Sequence, residues 1–195
     1  MNKRFLQPAF LLSLGFLTAA CSPALNWRTV TLDAPGLELL LPCKPERAER
    51  TVEWSPGSEV VLTMSGCEAD GTTFAVSYLR LDDPARAPAL LEQWQAAMRS
   101  PLHRPVQGGA ADQPDQPDQP PAQTAFVPRG ALPLAQSVRV SLQSGGAGGP
   151  PVSTEAAWFA RREGGHAWLF HAMAYNTSAA PREAVSTFFA GLRLR

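Results

Sequence analysis

The stretch that most restricts the fold is TEAAWFARR-EGG-HAWLFHAMAY, residues 154–175. Two runs of strand length, rich in aromatic and small residues, flank a glycine pair, which is the signature of a β-hairpin. Around it the chain offers further strands. WRTVTL (27–32) and LELLLP (37–42) are separated by the turn DAPG, RTVEW (50–54) and EVVLTMSGCE (59–68) flank SPGS, and TTFAVSYLRL (72–81) follows ADG. QSVRVSLQS (136–144) alternates as a strand, and GGAGGPP (145–151) reads as a flexible turn. These bounding residues end strands and build turns. The simplest topology for 27–81 is an antiparallel meander. In its last strand Phe74, Val76 and Tyr78 face one way and Ala75, Ser77 and Leu79 the other, so the core is expected on the first side.

The period changes after Leu81. Asp83 suits a cap and Pro84 a first helical turn, while Ala87, Leu90, Leu91, Trp94, Ala97 and Met98 recur at three- and four-residue spacing. This predicts an amphipathic helix that ends before Pro101 and turns its apolar stripe to the core. At the C-terminus PREAVSTFFAGLRLR places Val185, Phe188, Phe189 and Leu192 on one helical face. Between these segments, residues 101–122 repeat Asp-Gln-Pro three times from Asp112 to Pro120. Proline removes amide donors and fixes dihedrals, so this segment is expected as a disordered insertion. A polyproline II helix would align Asp112, Asp115 and Asp118 on one edge, but the repeat lacks the ligand geometry of a calcium loop. The fold class expected is α+β: an antiparallel sheet with a long helix after the first meander and a short C-terminal helix packed on it. A β-sandwich or barrel with one packed helix is the alternative.

The N-terminus addresses where such a chain works. Lys3 and Arg4 precede a largely apolar stretch, densest over Phe10 to Ala20, which is nearer a signal core than the roughly 20 residues of a membrane span. Its close, Leu17-Thr18-Ala19-Ala20-Cys21, resembles the lipobox of bacterial lipoproteins, with Thr18 where that pattern prefers Leu. The resemblance implies removal of residues 1–20, acylation of Cys21 and, because Ser22 rather than Asp follows, an anchor at the periplasmic face of the outer membrane. Cleavage after Ala20 as an ordinary secreted protein would leave a soluble periplasmic form. Residues 21–26 then form a tether and 27–195 one domain.

Cysteine parity agrees with acylation: the chain holds Cys21, Cys43 and Cys67, and a spare thiol is a liability in an oxidising compartment. With Cys21 acylated, Cys43 and Cys67 remain, each where an apolar run meets polar sequence, and they are expected to form a disulfide if their Cα atoms come within about 7 Å. The competing reading is two buried, unpaired thiols.

The order of elements, with HAWLFHAMAYN followed by PREAVSTFFAGLRL, resembles the α/β/α sandwich of PsbP-type photosystem extrinsic proteins and of the Ran-binding import factor that shares their fold. The chain is also similar to small bacterial envelope lipoproteins with a Pro-Cys-Lys-Pro stretch, here residues 42–45. These relatives imply binding or assembly with an envelope protein partner rather than chemistry.

No catalytic pattern emerges from the residues. Gly-x-Ser-x-Gly is absent and Ser65 lies in a strand. His166 and His171 are five apart in one strand and so face opposite ways, which prevents joint chelation, and they and His103 read as strand-end or hydrogen-bonded sheet histidines. Residues 145–149 lack the Lys-Ser/Thr of a phosphate loop. Glu53, Glu59, Glu68 and Asp70 gather near one hairpin and read as solvated, as does the Arg161-Arg162 pair. Trp27, Trp54, Trp94, Trp158 and Trp168 read as core and cleft packing. Asn176-Thr177-Ser178 matches a glycosylation sequon and reads as a turn. Two of the 17 basic residues leave with the leader against 17 acidic ones, so the mature net charge is −2, and neither a nucleic-acid footprint nor a basic cluster for an anionic membrane face is legible.

No metal and no cofactor are expected. The function expected is a lipid-anchored, non-catalytic binding or assembly role; an envelope enzyme, hydrolase-like, with a site of scattered residues is the alternative, as is a carrier of a small apolar ligand, which would need a cavity between sheet and helix. The anchor is directly testable. Metabolic labelling with an alkyne fatty acid should mark the wild-type chain and miss Cys21→Ser, whereas a Cys21→Ser chain that is processed and stays membrane-bound would exclude acylation there.

Overall fold

A computed structural model describes residues 25–55, 57–99, 123–144, 152–177, 179 and 181–195. Within them the chain runs β1 (Arg28–Leu32), β2 (Leu37–Leu41), β3 (Glu46–Ser55), β4 (Ser58–Ala69), β5 (Thr72–Leu81), a single 3-10 turn (Pro84–Arg86), α1 (Ala87–Arg99), β6 (Gln123–Ala125), β7 (Val138–Ser144), β8 (Val152–Glu163), β9 (His166–Tyr175), α2 (Arg182–Ala190) and β10 (Arg193–Leu194). This is a mixed α+β fold. The strands form a seven-stranded antiparallel sheet in the order β3-β4-β5-β9-β8-β7-β6 and a three-stranded one in the order β1-β2-β10.

The expected hairpin is the centre of the large sheet. β8 and β9 pair from Thr154↔Tyr175 to Glu163↔His166, closing over Gly164 and Gly165. β4 and β5 close over Asp70 and Gly71, whose φ of 51° and 70° are the left-handed pair that an Asp-Gly hairpin turn supplies at least cost. The 3-10 turn starts as the sequence suggests, with the Asp83 carboxylate accepting from Ala85 N at 3.0 Å. α1 then runs 13 residues. That is an ordinary helix length rather than the long helix expected.

The meander over 27–81 does not hold as one sheet. Pro42 and Pro45 lack the N–H that a continued ladder needs, and between them the chain leaves β2 and enters the large sheet at β3. Leu37, Leu39 and Leu41 point inward from the small sheet, and the chain's end returns to it, with Arg193 opposite Glu38 and Leu194 opposite Leu37. Helical character therefore stops earlier than the periodicity suggests. Gly191 caps α2, and Leu192, expected on its face, is buried in the same cluster but beyond the helix.

The core is two-sided, not one-sided as β5 alone suggests. On one face Phe74, Val76, Phe159 and Phe170 meet Phe188 and Phe189 of α2 and the three inward leucines of β2. On the other, Leu79, Val140, Trp158 and Leu169 meet Ala87, Leu90, Leu91 and Trp94 of α1. Each large side chain so buried contributes about 1.5 to 3 kcal/mol.

Cys43, just after β2, and Cys67, within β4, are disulfide-bonded with Cα atoms 5.9 Å apart. The bond ties the small sheet to the large one at the point where the prolines interrupt the ladder. Replacing both cysteines by serine should cost about 3.5 kcal/mol in the chain-entropy account of this 24-residue separation, read from the denaturant midpoint. An unchanged midpoint would show that the link between the sheets does not depend on it.

Candidate functional site

The site grows from the register of the central hairpin. Thr154, Ala156 and Trp158 of β8 stand opposite Tyr175, Met173 and His171 of β9, and all six lie on the α1 face. α1 covers the Trp158–His171 end: the Trp94 ring lies 5.6 Å from His171. Past Met98 the same six residues, with Leu142 of β7, line a cavity of about 220 Å³. Tyr175, 42% exposed, stands at its rim, while Trp158 is fully buried at its floor.

The walls are almost wholly apolar. His171 is buried and stacked on the Trp158 indole, with ring centroids 4.8 Å apart. Burial with no compensating charge pushes its pKa down to about 4, so the imidazole is neutral at physiological pH. Among the described residues, Thr154 Oγ1, Trp158 Nε1 and His171 Nε2 are buried side-chain polar atoms without a hydrogen-bond partner. The residues that carry them line this cavity, while the three atoms themselves are withdrawn into its wall. Leaving such a group unpaired costs about 1 to 3 kcal/mol.

Chemistry is a poor use of them. Thr154 and His171 are four register positions apart, roughly 13 Å along the sheet, too far for a hydroxyl nucleophile and its base. The arrangement can hold a molecule by apolar contact.

The structure disperses most other candidates. Cys21, His103 and the aspartates at 112, 115 and 118 lie outside the described residues. Glu53 and Glu59 face each other at the β3–β4 turn, whereas Glu68 and Asp70 sit at the far end of β4, so the acidic group that the sequence suggested near one hairpin is two exposed pairs. Ser65 is buried within β4. His166 is a strand-end residue 3.5 Å from Glu163, on the opposite face from His171. His171 departs from the expectation of a satisfied sheet histidine, because its Nε2 has no partner.

Arg161 also departs, from the expectation of solvated surface. Its Nη1 donates to Pro35 O at 3.2 Å beneath the β1–β2 turn, and a Cβ on Gly36, itself at φ +62°, would strike that guanidinium. The fold further gathers Arg129, Arg193 and Arg195 around Glu38, a basic cluster that no run of sequence displays. No motif marks Thr154, Met173 or Tyr175, and Met98 stood out only as part of the apolar stripe of the helix. The only hint in the sequence was a threonine and a histidine at positions that alternation assigns to a buried face.

Among the described residues no helix is long and apolar enough to cross a membrane. Set against known proteins, the sequence matches no family model and no curated relative.

The neutral, buried imidazole has a measurable consequence. As pH falls from about 6.5 toward 4, the unfolded chain takes up a proton on His171 that the folded chain refuses, so stability present above pH 6.5 is progressively lost. Urea midpoints measured between pH 7 and 4.5 should therefore fall more steeply in the wild type than in His171→Phe; equal slopes would mean that this imidazole is not held neutral.

Proposed function

We propose that the protein is a lipid-tethered envelope module that binds a small apolar molecule without transforming it. The observation that carries this reading is the cavity of about 220 Å³ under the end of α1, whose wall among the described residues is almost wholly apolar. The separation of Thr154 from His171 argues against hydrolysis there. In the same reading Cys21 carries the acyl anchor at the periplasmic face of the outer membrane, and the short segment to β1 holds the domain close to it. The layering, with α1 on one face of the large sheet and α2 beside a small sheet on the other, supports a PsbP-like α/β/α arrangement in which the third layer is part strand.

Binding rather than assembly is favoured because an assembly surface needs no apolar cavity. Organic extraction of the chain purified from its envelope, followed by mass spectrometry, should yield a small neutral compound near one per chain. Ala156→Leu, which places three further carbons in the cavity at a typical cost of about 1 to 3 kcal/mol, should lose it. The same compounds recovered in equal amount from wild type and Ala156→Leu would separate them from this cavity and defeat the reading.

A further inference from the structure

We propose that the β3 edge of the large sheet is an interface at which two copies of this chain pair antiparallel, about a two-fold axis at Ala48. The partner is a second copy, and the proposal stands apart from the cavity.

β3 ends the seven-stranded sheet: β4 pairs with it on one side, and among the described residues no strand pairs with it on the other. A ten-residue edge leaves a row of backbone N–H and C=O groups for water or another strand to satisfy. Charge commonly keeps such edges apart, and Glu46, Arg47, Glu49 and Arg50 are all exposed. Their order does the opposite. When Glu46-Arg47-Ala48-Glu49-Arg50 is laid antiparallel on itself with Ala48 opposite Ala48, Glu46 meets the second copy's Arg50 and Arg47 meets its Glu49. Two-fold symmetry doubles each pair, so four attractive cross-strand pairs form and no like charges meet. The register is specified as well. A slip of one residue either way sets Glu46 against Glu49 or Arg47 against Arg50.

Both faces of the edge suit this pairing. Glu49 accepts from the Thr63 hydroxyl, and Thr63 stands opposite Tyr78, which places Arg47 and Glu49 on the α2 face. They already pair at 2.7 Å within one chain, so a second copy closes a square of four alternating charges. Glu46, Ala48 and Arg50 stand on the α1 face by alternation. Among the described residues Glu46 and Arg50 form no ion pair, and a second copy supplies what each lacks. Between them Ala48 lies opposite Met64 of β4, one of the large apolar side chains left exposed. Two alanines at the axis leave a shallow gap that the flexible thioether chains of both copies can cover.

Sedimentation velocity of the chain that starts at residue 21 and carries Cys21→Ser, which needs no detergent, should show a monomer and dimer in equilibrium. Arg47→Glu with Arg50→Glu makes all four pairs repulsive and should weaken dimerisation on the order of a hundredfold, and Glu46→Arg with Glu49→Arg should do the same. Mixed together, the two variants regain opposite charges and should form a heterodimer of near wild-type affinity. Air oxidation with copper phenanthroline should link Ala48→Cys to its own copy, because the axis brings the two Cα atoms to about 4.5 to 5.5 Å. It should not link Thr51→Cys, whose copies would lie roughly 20 Å apart. A wild-type chain that stays monomeric at its highest soluble concentration, which requires no variant to fold, would overturn the proposal. A dimer that the charge reversals leave intact, or that crosslinks as readily through Thr51→Cys as through Ala48→Cys, would place the contact elsewhere and overturn it too.

Discussion

Two aromatic pairs stand back to back on the central hairpin, and the rest of the molecule is arranged to cover them. Phe159 stacks on Phe170 at 4.9 Å on one face of the sheet, and one residue along, Trp158 stacks on His171 at 4.8 Å on the other. Because side chains alternate along a strand, adjacent cross-strand pairs of this bulk commit both faces to burial. A sheet buried twice needs two covers. α2 supplies one through Phe188 and Phe189, with the Arg139 guanidinium 4.0 Å over the Phe189 ring to close its outer side. α1 supplies the other through Leu91 and Trp94.

The α2 cover is completed by the small sheet, which packs on the same face. β1 and β2 have left the main ladder, and β10 adds two residues to β2, so the strand pairing alone is slight. Three further ties hold the assembly: the disulfide from Cys43 to Cys67, Arg161 under the β1–β2 turn, and Arg195 on Glu38 at 2.7 Å. They are unequal. An exposed ion pair such as Arg195 with Glu38 is screened by solvent and contributes little, whereas the disulfide restricts the unfolded chain by about 3.5 kcal/mol. The covalent tie dominates, which fits a domain whose N-terminal strands sit outside its main sheet.

Much of this was legible wherever a local pattern decides structure. The hairpin, the helix starting at Asp83 and Pro84, the face Val185-Phe188-Phe189 and the pairing of Cys43 with Cys67 all follow from alternation, spacing, breakers and parity. What alternation cannot state is which sheet a strand joins. β1 and β2 have the same pattern whether they extend the meander or leave it, and β10 is two residues long. Nor does a single strand show whether its weaker face is covered: Leu79 lies on the less bulky face of β5, yet it joins the cluster that packs on α1. The position of His171 on a buried face was readable. Its lack of a partner was not, since that depends on groups distant in sequence.

The cavity itself follows from a mismatch in length. A helix of 13 residues rises about 20 Å, while a strand of 12 residues extends about 40 Å, so α1 cannot cover the face of β8 that it packs on. Where its last turn, at Met98, stops, the sheet continues through Ala156 and Thr154 with Met173 and Tyr175 alongside. A simple shortfall would be expected to show the polar, solvated alternation of an open sheet face. Here the uncovered stretch stays apolar at Leu142, Ala156 and Met173, and its polar atoms are withdrawn from water instead of presented to it. A surface built for solvent would present polar groups there, so this stretch keeps the composition of a packed face beyond the end of the helix that packs on it.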